Sequence, residues 1–282
     1  MEKVKIAGRE VFSIGFGTWT LGDDPKTRNR EIDALRAGIE NGVQVIDTAE
    51  MYGNGASERA VAEAIEPYNR EDLFLISKVL PENASKMRLV KSLDASLQRL
   101  KTDYLDHYLL HWKGSIPLIE TVEALEKERQ KGKIKSWGVS NLDTDEMRRV
   151  MSFENGKYCS SNQVRYNLGD RGIEFDLLPL MRKHGIPLIA YAPVAKGDKL
   201  GSKFSEEKVL KDLAEKYRCD VFQILLAWCV RDKRTIAIPQ SGNRQHVISN
   251  LRAAQIEFSE EDLSAIDQIY PEPNKKQSLA LW

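Results

Sequence analysis

The chain of 282 residues is poor in several things at once. It has three cysteines, Cys159, Cys219 and Cys229, scattered and without a C-x-x-C pair. That excludes a disulfide framework and reads as reduced thiols in a cytoplasmic protein. Net charge is absent as well: Lys+Arg and Asp+Glu both number 42, for a formal charge of +0. No basic surface for nucleic acid and no acidic tail is expected from that balance. No apolar run approaches the ~20 residues of a membrane span, and the start, MEKVKIAGREVF, lacks the apolar core of a signal peptide. What remains is 41 % hydrophobic and 30 % charged, enough for a sizeable core under a solvated surface. The expectation is one domain spanning 1–282, monomeric and cytoplasmic, with no nucleic-acid or membrane partner.

Short apolar runs rich in β-branched residues alternate with longer charged helical patterns. Strands are expected near 12–16, 43–47, 73–78, 104–111, 134–139, 160–164, 187–191 and 234–238. Helices are expected near 26–41, 57–66, 85–100, 116–131, 143–152, 173–184, 206–231 (broken at Cys219–Asp220) and 243–253. A further helix is expected over 259–268, where Ser259 and Asp262 fit an acidic capping box. Strict alternation without a linker points to parallel β/α units, either a doubly wound open sheet or a closed barrel. Eight strands favour the (β/α)8 TIM barrel. The pieces VKIA and EVFS around Gly8–Arg9 suggest an N-terminal β-hairpin over its lower mouth.

In such a barrel the chemistry belongs at the C-terminal strand ends. There stand GFGTWT after strand 1, Asp47 and Tyr52 in VIDTAEMYGNG, Lys78, His111–Trp112, Ser140–Asn141, Asn162–Gln163, Tyr191 and IPQSGNR. A phenol of pKa ≈ 10 is a reluctant acid at neutral pH, and a nearby ammonium makes it a better one. Asp47 would keep a buried Lys78 charged, Lys78 would acidify Tyr52, and His111 could orient an oxygen. That set protonates a developing alkoxide, and no nucleophile with a base beside it competes for the role. Ser140, Asn141 and Gln163 could bond a carboxamide, and Tyr191 offers a face for stacking. Backbone N–H groups of APVAKGDK and of the helix after strand 8 could receive phosphates.

Over nearly its whole length the chain resembles an aldo-keto reductase. The matching pieces are GFGTW (15–19), DTAEMYG (47–53), SK (77–78), DYLDHYLLHW (103–112), GKIKSWGVSN (132–141), NQVRYN (162–167), YAP (191–193) and IPQS (238–241). Within the family it is most similar to bacterial enzymes that reduce methylglyoxal and other small aldehydes. The resemblance implies NADP(H) and hydride transfer to an aldehyde or ketone. Tyr52 becomes the general acid, Asp47 and Lys78 its supports, and His111 the orienter of the carbonyl. Ser140, Asn141 and Gln163 fall at the carboxamide and Tyr191 under the nicotinamide ring. Thr18, Trp19 and Asp47 also border the cofactor, with Ala192, Pro193, Val194 and Lys196 on the loop after strand 7. Gln240, Ser241, Gly242, Asn243, Arg244, His246 and Asn250 form its adenine end. Trp19, Tyr52, His111 and Trp112 would line the substrate pocket, and Trp282 could fold over its mouth. The short loops after strands 4 and 7 suggest an open pocket for small carbonyls.

One departure concerns the cofactor's 2′-phosphate. Many members carry a Lys after the IP of strand 8 and an Arg six residues later, where this chain has Gln240 and His246. Arg244 lies between them, so NADPH should be preferred less strongly, with NADH usable.

Other readings are weaker. A non-enzymatic, cofactor-binding regulatory subunit could use the same barrel, yet all four catalytic positions are present. A metal-dependent hydrolase or isomerase would need clustered ligands, and only His111 and Asp47 offer themselves, so no metal is expected. Gly15-x-Gly17 lacks a third glycine and an opening helix, which argues against a Rossmann loop. His107 and His111 lie four apart on a strand, ~13 Å, too far to share an ion. His107 reads as a satisfied core histidine, and Trp137 as core.

Overall fold

A computed structural model describes residues 3–198 and 204–281. The expected hairpin is there, with β1 (Lys3–Ile6) antiparallel to β2 (Arg9–Phe12). Its turn, Ala7–Gly8, takes positive φ at both residues (49° and 83°), the twist that a two-residue hairpin needs. Alternation then turns Val4, Ile6 and Val11 to one face. They join Val45, Phe74, Ile76, Leu109, Ile189 and Ile236 in a single buried cluster. The hairpin is thus an apolar stopper in one mouth of a sheet.

That sheet contains β3 (Phe16–Gly17), β4 (Val45–Asp47), β5 (Phe74–Val79), β6 (Leu105–Leu110), β7 (Ile134–Ser140), β8 (Cys159–Arg165) and β9 (Leu188–Tyr191). After β9 an extended segment, β10 (Pro193–Asp198), stands outside the order, and β11 (Thr235–Ala237) completes it. Every neighbouring pair is parallel. The two ends meet through the Ile14–Ala237 bridge, with Gly15 N donating to Ala237 O at 2.8 Å and Ala237 N to Ser13 O at 2.8 Å. This closure excludes the open doubly wound sheet. Strand 1 is shorter than the expected 12–16, because Phe12 belongs to the hairpin and Ile14 makes only an isolated bridge. Gly17 is required at this seam: a Cβ there would lie 2.7 Å from the Ile238 carbonyl.

Around the barrel run α1 (Arg28–Glu40), α2 (Ala56–Ile65), α3 (Lys86–Leu100), α4 (Leu118–Gln130), α5 (Thr144–Ser152), α6 (Leu177–Lys183), α7 (Lys208–Lys216), α8 (Val221–Val230), α9 (Arg244–Arg252) and α10 (Glu260–Ile269). The long 206–231 pattern breaks as expected, and Asp220 and Gln223 form a capping box that starts α8. Ser259 and Asp262 form another ahead of α10. α6 begins later than expected, since Pro179 is tolerated only in a first turn. Trp137 is fully buried, with its indole N–H on Glu126 at 3.1 Å. Among the described residues no helix is long and apolar enough to cross a membrane.

Candidate active site

Period-two geometry places the site. Val45, Ile76, Leu109 and Ile189 point into the barrel, so the residues two further along their strands point inward one layer higher. Those residues are Asp47, Lys78, His111 and Tyr191. The lower layer is apolar and the upper one polar. Four strands therefore deliver an acid, a base, an imidazole and a phenol to one end of a closed cylinder.

Lys78 is fully buried. Its Nζ donates to Asp47 Oδ1 at 2.6 Å, to the Thr48 carbonyl at 2.9 Å and to the Tyr52 hydroxyl at 3.1 Å. All three protons of the ammonium are accepted. Burial pulls its pKa down, but Asp47 and Tyr52 outweigh it and the pKa ends above the ordinary lysine value. Burial raises that of Asp47 against the opposing pull of Lys78 and Gln163. Tyr52 departs from expectation. Burial raises the phenol more than Lys78 lowers it, so its pKa lies above 10.0 and the proton stays on at neutral pH. Lys78 moderates the cost of burying a phenolate rather than producing an acidic phenol.

His111 stands across from the phenol, ring centroids 5.8 Å apart and nearly edge-on at 76°. Its backbone is pinned on both sides: His111 N donates to Val79 O at 3.0 Å and Asn141 Nδ2 to His111 O at 3.1 Å. Burial, then the Lys78 charge, lowers its pKa to about 2, so the imidazole is neutral. No described residue bonds its buried Nδ1. Trp112 packs on it at 4.7 Å, and Trp112 and Trp19 are half-exposed at the rim.

The Asn141 side chain donates to Ser140 Oγ (3.2 Å) and accepts from the Tyr191 hydroxyl (3.0 Å). Ser140 Oγ donates to Gln163 O at 2.8 Å, and Gln163 Nε2 donates to Asp47 Oδ2 at 2.7 Å. The three amide-binding positions expected from the sequence are together, but bonded to one another and to Asp47. The hydroxyls of Thr18, Thr48 and Ser57 lie beneath, with Ser57 Oγ 2.7 Å from Thr18 Oγ1 and 2.9 Å from Thr48 Oγ1. This knot fixes the peptide whose carbonyl holds Lys78. Sequence reading missed Thr48 and Ser57, because a serine early in a helix carries no sign of which strand end it supports. His107 is satisfied as expected, between Ser136 Oγ and Ser161 Oγ, both at 2.7 Å. Among the described residues no group of ligands could hold a metal ion.

Residues 13–271 match the profile described as the Aldo/keto reductase family. The chain belongs to the aldo/keto reductase family. It is an oxidoreductase. It is 43 % identical over 267 residues to methylglyoxal reductase YeaE of Escherichia coli, covering 95 % of this chain and 94 % of that protein. It is 33 % identical to glyoxal reductase of Bacillus subtilis, over 93 % of this chain and 90 % of the other. An aldo/keto reductase from Klebsiella pneumoniae, crystallised with NADP and acetate, superposes with a TM-score of 0.97 at 43 % identity. That alignment covers 100 % of this chain and 99 % of the other.

The remaining positions expected in this aldo/keto reductase lie at two places. Ala192, Pro193 and Val194 follow β9, with Ala192 at φ 49°. This loop is partly strand (β10) rather than irregular, and the side chain of Lys196 lies outside the described residues, as does Trp282. Gln240 through Asn250 enter α9. There the expected supply of free N–H groups is smaller, because Asn243 Oδ1 already accepts from Gln245 N (2.8 Å) and His246 N (3.3 Å). Gln240 Nε2 donates to Thr20 Oγ1 at 2.5 Å. Arg244 is exposed and loosely paired to Glu40 at 3.4 Å. His246 and Asn250 follow on the same helix, exposed and half-buried.

Proposed function

We propose that this enzyme reduces small aldehydes and ketones, methylglyoxal among them, with NADP(H). The observation that carries the reading is a proton-bearing Tyr52 hydroxyl 3.1 Å from a buried, charged Lys78, facing a neutral imidazole. Bound NADPH supplies the hydride. The protein's task is the proton. The neutral His111 ring can donate one hydrogen bond to a carbonyl oxygen and so align it with Tyr52. As negative charge grows on that oxygen, the Tyr52 hydroxyl gives up its proton. The phenolate left behind is stabilised by the Lys78 ammonium and is reprotonated from solvent. Asp47 keeps Lys78 charged throughout.

The residues fit such a cofactor. Asn141 fixes the tilt of Tyr191 for stacking, Ser140 and Gln163 stand beside it, and Arg244 is free to turn from Glu40 to a 2′-phosphate. The names of the two relatives and the NADP-bound neighbour support the same assignment. Half-exposed Trp19 and Trp112 give an apolar rim suited to short carbonyls. Three free cysteines support a cytoplasmic setting. The intact proton relay disfavours a regulatory subunit.

The test is direct. The protein is mixed with NADPH and methylglyoxal and the reduced-nicotinamide absorbance is followed. Stoichiometric loss of NADPH with formation of a hydroxy-carbonyl product is expected. An unchanged absorbance across a panel of short aldehydes would refute the reading.

A further inference from the structure

Asp47 has two carboxylate oxygens, and the ion pair with Lys78 engages only one. The other, Oδ2, receives Gln163 Nε2 at 2.7 Å. Gln163 is on β8 and Asp47 on β4, four strands apart in an eight-stranded barrel, so the two side chains come from opposite walls and meet across the lumen. Both are 2 % exposed. Among the described residues no side chain or backbone group bonds Gln163 Oε1.

We infer that Gln163 is a positioning residue of the proton relay: its amide holds Asp47 oriented on Lys78 and ionised, and so sets the charge behind Tyr52. The inference rests on the reductase reading and goes beyond it. Under that reading Gln163 also faces the nicotinamide end through Oε1, so one side chain joins the cofactor's seat to the acid. A buried carboxylate with one donor rotates and gains a proton more readily than one with two. Losing either the orientation or the charge would let the unsupported Lys78 shed its proton, and the phenolate would lose its counter-charge.

The groups facing this contact are few. Lys78 comes from β5, Tyr52 from the turn after β4, His111 from the end of β6, and Tyr191 from β9. Arg165, two residues beyond Gln163, is paired with Asp170 at 2.7 Å. The Asp47–Lys78 pair is the dominant charge.

Two variants test the inference. Gln163→Leu removes the donor; Gln163→Glu places a second carboxyl against Asp47, and such a pair shares a proton. With that proton bound, the introduced carboxylic acid can donate its O–H to Asp47 as the amide does; without it, the two carboxylates repel. In the cofactor-free Gln163→Glu protein, carboxyl ¹³C NMR should show one proton retained above about pH 6. In turnover, kcat of Gln163→Glu should be highest near pH 5. It should fall roughly 10-fold by pH 8, an inflection absent from the wild type. Gln163→Leu should lose at least ~10-fold in kcat at every pH. Ordinary titration of every carboxyl in Gln163→Glu would overturn the inference. So would Gln163→Leu with wild-type kcat and only a raised KM for NADPH, which would make Gln163 a cofactor contact alone. An inactive wild-type protein would sink the reductase reading, and the NMR titration would still decide whether Gln163 and Asp47 are coupled.

Discussion

Lys78 is an ammonium sealed from water, and a single carboxylate makes that tolerable. Removing one member of a buried pair leaves an uncompensated charge, at a typical cost of about 3–5 kcal/mol. Lys78→Met and Asp47→Asn should each lower stability by about that much and cut kcat sharply at neutral pH. Their double variant should lose little more than either alone, because the two act as one unit. Additive kcat losses would show that they act separately. Asp47, Tyr52, Lys78 and His111 were legible because type and strand-end position are both written in the sequence. Their inward direction follows from counting in twos from Val45, Ile76 and Leu109. Two things were not legible. The Gln163–Asp47 contact joins residues 116 apart in sequence and depends on barrel closure. The pKa of Tyr52 depends on how completely the phenol is buried, which outweighs the neighbouring ammonium.

At the scale of elements, the hairpin and α9 do different work. β1 and β2 contribute Val4, Ile6 and Val11 to the barrel interior, far from the strand ends that carry Tyr52. Ile6→Ala should cost about 2–5 kcal/mol in a denaturant titration and leave kcat unchanged. An altered kcat at full folding would mean that the stopper reaches the site. α9 carries the residues proposed for the cofactor's adenine end. Its first N–H groups are capped by Asn243, so a 2′-phosphate depends more on the Arg244 guanidinium than on the helix terminus. Arg244→Ala should raise KM for NADPH markedly and leave KM for NADH nearly unchanged. Equal effects on both cofactors would make Arg244 a surface residue. Helix starts were readable wherever a cap is written, as at Asp220 and Ser259. The length of strand 1 and the extended form of β10 were not, since both depend on pairing and closure rather than on local pattern.

For the molecule as a whole, alternation of eight apolar runs with helices announces the barrel, whereas its closure through Ile14 and Ala237 is a tertiary fact. Burial then gives the protein a pH signature. His107 and His111 have pKa values lowered to about 3 and about 2, against 6.5 for an ordinary imidazole. As pH falls below 6.5 the unfolded chain takes up two protons that the folded one refuses, so stability declines. Two protons correspond to a slope of roughly 2.7 kcal/mol per pH unit once the unfolded imidazoles are fully charged. The urea midpoint should therefore drop between pH 7.5 and pH 5, and His107→Gln should halve the slope. An unchanged slope in that variant would show that His107 takes up its proton while folded.

In the proposed reduction the proton comes from the Tyr52 hydroxyl. Tyr52→Phe keeps the ring against His111 and Lys78 and deletes only the hydroxyl. With NADPH and methylglyoxal, kcat should fall by at least ~10²-fold while NADPH affinity, read by fluorescence titration, stays at the wild-type value. Near-normal turnover, or loss of NADPH binding as severe as the loss of rate, would contradict the account.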